Sequence, residues 1–155
     1  MVFIQKFTAS LRGWIGVVAL MGIGNTIQCF YNHVFLGENL YMEGPSQVTP
    51  LMARLFGTWT FLAAIVRIYC AYDITNRPLY DITLISFLIA FVHFTLEAFY
   101  YQSTGLHVGL ATPLLVSGIS IVWMIIGYSL VWPKDDDDDD RVTVQSRRKK
   151  LMKAH

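Results

Sequence analysis

Cysteine, charge and aqueous loops are all scarce in this sequence. Two cysteines, Cys29 and Cys70, cannot build a disulfide framework, and no Cys-x-x-Cys occurs. Zinc-site and thioredoxin-type readings therefore have no support. Charged residues make up only 15% of the 155, and their formal sum is +1. No nucleic-acid partner is expected. The one G-x-G, in Met21–Asn25, follows no strand and lacks a third glycine, so a dinucleotide site is not expected. No internal repeat is present. No cofactor, metal or catalytic residue is assigned.

Apolar residues are what the chain has in quantity. They make up 54% of it, more than a typical soluble domain carries. They fall into four runs: Leu11–Tyr31, Leu51–Tyr72, Leu79–Tyr101 and Leu106–Val131. A bilayer core of about 30 Å takes about 20 apolar residues as a helix. The runs are apolar on nearly every face, which lipid permits and water does not. The predicted fold is all-α: a bundle of four transmembrane helices over 1–133, followed by a charged tail over 134–155. Lys6 and Arg12 ahead of the first run resemble a signal peptide. The run continues to Phe30 without an Ala-x-Ala site, so retention is expected.

The connectors are short. Residues 32–50 contain Gly37, Gly44, Pro45 and Pro50 as breakers, residues 73–78 hold an Asn-Arg-Pro turn, and the third connector is a few residues around Ser103–Gly105. None holds an aqueous domain. With four spans the termini share a side. That side collects Lys6, Arg12, Arg77, Lys134, Arg141, Arg147–Lys150 and Lys153, while the connectors opposite have no Lys or Arg. The positive-inside rule makes the termini cytosolic. In the tail, Asp135–Asp140 is expected to stay hydrated and unfolded as a spacer. The basic cluster after it is expected to flank the membrane.

Ionisable groups inside a bilayer usually face the bundle interior with a partner. Glu97 follows His93 by four residues, which puts both on one helix face. Gln28, Arg54 and Glu97 each lie a few residues from the non-cytosolic end of a helix, within one or two turns at about 1.5 Å per residue. One polar cluster is therefore predicted there: Asn25, Gln28, Arg54, His93 and Glu97, centred on an Arg54–Glu97 ion pair. As a structural lock it would fix three helices together. As a site, His93 and Glu97 would be acid and base beside an apolar substrate. At the cytosolic side Arg67 is expected to snorkel or to pair with Asp81. With Asp73, Arg77 and Asp81 it outlines a docking surface. Trp59 and Phe61, or Phe87 and Phe91, are candidate partner-facing anchors. Gly13, Gly16, Gly109, Ser117, Gly118 and Ser120 let helices approach closely and are compatible with self-association into a homo-oligomer. Cys29 and Cys70 should lie at opposite depths, unbonded.

Gly24–Gln28, Ala53–Thr60, Arg67–Ile74, Leu79–Thr83 and Phe91–Phe94 with Glu97 together resemble the ergosterol biosynthetic protein 28 family. The likeness runs from about Leu11 to Val131. Its most distinctive parts are the R-x-F-G-x-W-T stretch at Arg54–Thr60 and the H-F-x-x-E stretch at His93–Glu97. The resemblance implies a multi-pass protein of the endoplasmic reticulum membrane and a non-catalytic scaffold of sterol synthesis. Its implied partners are a sterol C-4 methyl oxidase, a 3β-hydroxysteroid dehydrogenase/decarboxylase and a 3-ketosteroid reductase. Such a scaffold keeps lipophilic intermediates near successive enzymes. The alternative is a sterol-binding protein, or an intramembrane sterol-modifying enzyme, using a His93/Glu97 pocket.

Overall fold

The computed structural model describes residues 2–104 and 108–132. The charged tail over 134–155 lies outside the described residues. The elements are α1 (Val2–Tyr31), α2 (His33–Asn39), a short 3-10 turn (Pro45–Gln47), α3 (Pro50–Tyr72), α4 (Arg77–Phe99) and α5 (Val108–Val131). No strand occurs among the described residues. Helices α1, α3, α4 and α5 are each long and apolar enough to cross a membrane.

Helix starts follow local chemistry. The Thr49 side chain accepts from the Met52 N–H and Pro50 occupies the first turn of α3. Asn76 accepts from Leu79 N–H and Pro78 opens α4. Each pairing satisfies a donor the helix leaves free and uses a proline where no donor is needed.

Two boundaries differ from expectation. Helix α1 begins at Val2 rather than Leu11. Val2–Ile4 and the residues around Lys6 extend the helix beyond the apolar run, because backbone bonding does not stop where apolarity does. The connector 32–50 is not irregular throughout. Asn32 caps α2 by accepting from Val34 N–H, and Gly37 is buried inside that helix rather than breaking it.

The four long helices form a ring. Helix α1 packs most extensively on α3, and α4 on α5; the α1–α5 and α3–α4 contacts close it. The α1–α3 seam is tight because small residues line it. A Cβ on Gly57 would stand 3.0 Å from Cys29 Cβ and from the Phe30 ring, and one on Gly22 would stand 3.3 Å from Ala64 Cβ. Thr26 Oγ1 lies across the same seam, 3.1 Å from the Gly57 carbonyl and 3.0 Å from Thr60 Oγ1. Among the small residues singled out in sequence, Gly118 approaches Phe91, whereas Gly13 meets nothing.

The buried side chains fall into two clusters. One gathers Cys29, Leu36, Tyr41, Ala53, Phe56, Phe94 and Leu110 at the end that carries the longer connector. The other gathers Leu11, Ile15, Cys70, Tyr80, Phe87 and Met124 at the end near the N-terminus. Cys29 and Cys70, one in each cluster, are both free. Only 22–28% of the residues in the apolar stretch of each span are buried within the chain; the rest are half-buried or exposed.

Candidate functional site

The predicted polar cluster divides into separate arrangements. Asn25 and Gln28 line a central cavity between the helices. Arg54 is exposed. Residue counting puts it at the level of Glu97, but the rotation of α3 about its axis leaves it exposed. Glu97 instead accepts a hydrogen bond from the Ser103 hydroxyl, and its backbone carbonyl accepts from Ser103 N–H at 3.1 Å. The Ser103 carbonyl in turn accepts from Glu43 N–H at 3.2 Å. Glu97 thereby fastens the α4–α5 connector to the longer one, and the expected Arg54–Glu97 pair is not among the contacts of the described residues.

His93 has a partner that sequence did not suggest. The Tyr41 hydroxyl stands 3.0 Å from His93 Nε2. The Trp59 ring lies 5.2 Å from the imidazole, edge to face, and Phe94 lies 5.1 Å from it. Burial raises the Tyr41 pKa above the ordinary phenol value, and the negative charges of Glu97 and Cys29 add to the rise. The phenol therefore keeps its proton and donates to Nε2 when that nitrogen is unprotonated. Among the described residues, no group of three His, Cys, Asp or Glu side chains could hold a metal ion.

The charges near the N-terminal end also separate. Arg77 Nε donates to the Tyr128 hydroxyl at 2.9 Å, with its guanidinium carbon 5.4 Å from that ring's centre. Asp73 Oδ1 accepts from Thr75 at 2.8 Å. Asp81 is half-buried on α4. Arg67 departs from expectation. It neither snorkels nor pairs with Asp81. Only 9% of it is exposed, its guanidinium carbon lies 4.2 Å from the centre of the Phe87 ring, and Nε has no hydrogen-bond partner among the described residues. Helical side chains tilt toward their own N-terminus. On α3 that direction leads back into the bundle rather than out to the nearer interface.

The central cavity has a volume of about 480 Å³, within the range of about 300–1,000 Å³ usual for small-molecule sites. All four long helices wall it, through residues such as Val18, Trp59, Phe94 and Val116, and Phe35 and Leu36 of α2 cover one end. Neither His93 nor Glu97 lines it. Sequence reasoning missed Tyr41, Ser103, Tyr128 and α2. Asn32 as a cap was the one readable signal for α2. Nothing local marks Tyr41 or Ser103 as partners of residues 52 and 6 positions away.

Comparison with known proteins identifies a family. Residues 11–122 match the family described as "Erg28 like protein". The Homo sapiens "Ergosterol biosynthetic protein 28 homolog" is 43% identical over 123 residues, covering 79% of this chain and 88% of that protein. "Ergosterol biosynthetic protein 28" of Candida albicans is 41% identical over 113 residues (73% and 81%), and that of Saccharomyces cerevisiae 32% over 114 residues (74% and 77%). No solved structure matches the chain.

Proposed function

The chain belongs to the Erg28 family, and from that premise we propose that it is a non-catalytic membrane scaffold of sterol synthesis. It would hold the sterol C-4 methyl oxidase, the 3β-hydroxysteroid dehydrogenase/decarboxylase and the 3-ketosteroid reductase together at the endoplasmic reticulum. The observation that carries this reading, beside the family, is the surplus of outward apolar helix surface. Phe61, Leu62, Ile85, Ile89, Leu115 and Val122 all point away from the bundle. Such faces can dock the membrane anchors of other proteins through close packing. The polar groups are consistent with it. His93, Glu97 and Arg77 are each engaged with another part of the same chain, as parts of a frame would be. Asp73 and Asp81, near the turn between α3 and α4, supply charge for a cytosolic docking surface. Tethering raises the local concentration of each intermediate at the next enzyme without adding a chemical step.

Sterol profiling tests the proposal. Cells lacking the protein should accumulate C-4-methylated sterols, while each demethylation enzyme assayed separately with excess substrate keeps its activity. An unchanged sterol profile would contradict it. So would loss of one enzyme's turnover that purified chain restores in solution.

A further inference from the structure

We infer that the central cavity is a binding site for an amphipathic lipid carrying a carboxylate, with the Arg67 guanidinium as its counter-ion. The cavity, and the way Arg67 meets it, carry the inference. Arg67 lines the cavity, is 9% exposed, and keeps Nε unpartnered among the described residues. Its guanidinium lies over the Phe87 face. A buried cation with no anion paired to it among the described residues, and with an unmet donor, is expensive in a low-dielectric interior. The serine and threonine hydroxyls of the lining do not meet the need: among the described residues neither Ser117, bonded to the Pro113 and Leu114 carbonyls of its own helix, nor Thr60, bonded to the Gly57 carbonyl of its own helix and to Thr26 across the α1–α3 seam, hydrogen-bonds Arg67. A ligand carboxylate would supply the missing charge and accept from the two terminal guanidinium nitrogens, Nε itself being enclosed by the protein.

The remaining wall fits a hydrocarbon body. Phe56 and Arg67 both line the cavity on α3. Their separation along that helix corresponds to about 16 Å at 1.5 Å per residue, the scale of a steroid skeleton or an extended acyl chain. Between them the lining is largely apolar, with Val18, Phe87, Phe94 and Val116 among it. A way in from the bilayer is visible between α1 and α5. Near the N-terminal end these helices are joined by the Trp14 Nε1 bond to Ser120 Oγ at 2.9 Å and by Phe7 and Trp14 against Trp123. Toward the other end, Met21 and Gln28 of α1 and Val108 and Thr112 of α5 line the cavity and are themselves exposed. These residues mark its mouth. Pro113, also in the lining, cannot donate within α5. The inference stands whether or not the chain tethers enzymes.

The test is equilibrium binding to the full chain in mild detergent micelles. The probes are two acids, cholanic acid and oleic acid, each with its matched alcohol, cholanol and oleyl alcohol. At least one acid should bind about tenfold or more tighter than its alcohol, the scale of a charge-assisted bond. Arg67→Met should abolish that preference and melt at or above the wild-type temperature, because it removes an unpaired buried charge. Ala63→Phe, which fills the cavity and leaves Arg67 in place, should lose both acids. Preference for cholanic acid would identify a steroid body, and preference for oleic acid an acyl chain. Equal binding of acid and alcohol in both pairs, failure of both acids to bind, or undiminished binding to Ala63→Phe would overturn the inference. A marked loss of stability in Arg67→Met would assign Arg67 to the resting frame and overturn it equally.

Discussion

The hydroxyl of Tyr41, in the connector after α2, meets Nε2 of His93, inside α4, at 3.0 Å. This bond joins a segment outside the spans to the last third of α4. Tyr41 is also edge-on to Phe56, with centroids 6.2 Å apart, so one side chain ties the connector to both α3 and α4. Tyr41→Phe keeps the packing and deletes the bond. It should lower the unfolding free energy by about 0.5–1.5 kcal/mol, the net worth of one hydrogen bond, since His93 is half-buried. Thermal denaturation in detergent checks this, and a variant as stable as wild type would remove the tether from the account.

The same phenol sets a pH dependence. Its pKa is raised in the fold, by burial first and then by the negative charges of Glu97 and Cys29. The folded state therefore holds the proton more strongly than the unfolded chain, whose tyrosine ionises at about pH 10. The stabilisation is fully present below about pH 10 and is lost as pH rises from there through the folded pKa. Denaturation midpoints measured from neutral to strongly alkaline pH should fall less steeply above about pH 10 in Tyr41→Phe than in wild type. Identical slopes would contradict the assignment.

A pair of glycines in different settings tests the α1–α3 seam. A Cβ on Gly57 meets Cys29 and Phe30 at 3.0 Å, whereas one on Gly24 meets nothing within 4 Å. Gly57→Ala should therefore destabilise by roughly 1–3 kcal/mol through overpacking. Gly24→Ala should be neutral or stabilise by about 0.5–1 kcal/mol, the usual preference for Ala in a helix. Parallel melting curves of the two variants separate these outcomes.

His93→Ala combined with Glu97→Gln distinguishes a frame from an acid–base site. Both residues are engaged inside the chain, with Tyr41 and Ser103. The double variant should melt earlier and recover fewer partner enzymes, in the same proportion as its loss of folded protein. A well-folded variant that kept its partners and lost only sterol turnover would instead favour chemistry at His93 and Glu97.

The sequence carried the spans and much of their order, because an apolar run of bilayer length has few other stable forms. Position along each helix follows from the fixed rise per residue, but rotation about each helix axis does not. Arg54 and Glu97 are expected at one level, yet Arg54 faces out and Glu97 turns to Ser103. Arg67 illustrates the same limit in the other direction. Its position near a helix end suggested an outward reach, and only the packing of α4 shows it laid over Phe87. Helix α2 escaped notice because Gly37 read as a breaker, although Asn32 supplied a cap. Tyr41 was hidden because its partner is distant in the chain, and spacing rules describe only near neighbours.

The most direct measurement of the central claim is purification of the tagged protein from membranes in mild detergent, followed by mass spectrometry of what accompanies it. The account predicts recovery of the C-4 methyl oxidase, the dehydrogenase/decarboxylase and the ketosteroid reductase together, well above unrelated proteins of the same membrane. Recovery of the folded chain without any of those enzymes, in a membrane where all are present, would contradict the scaffold.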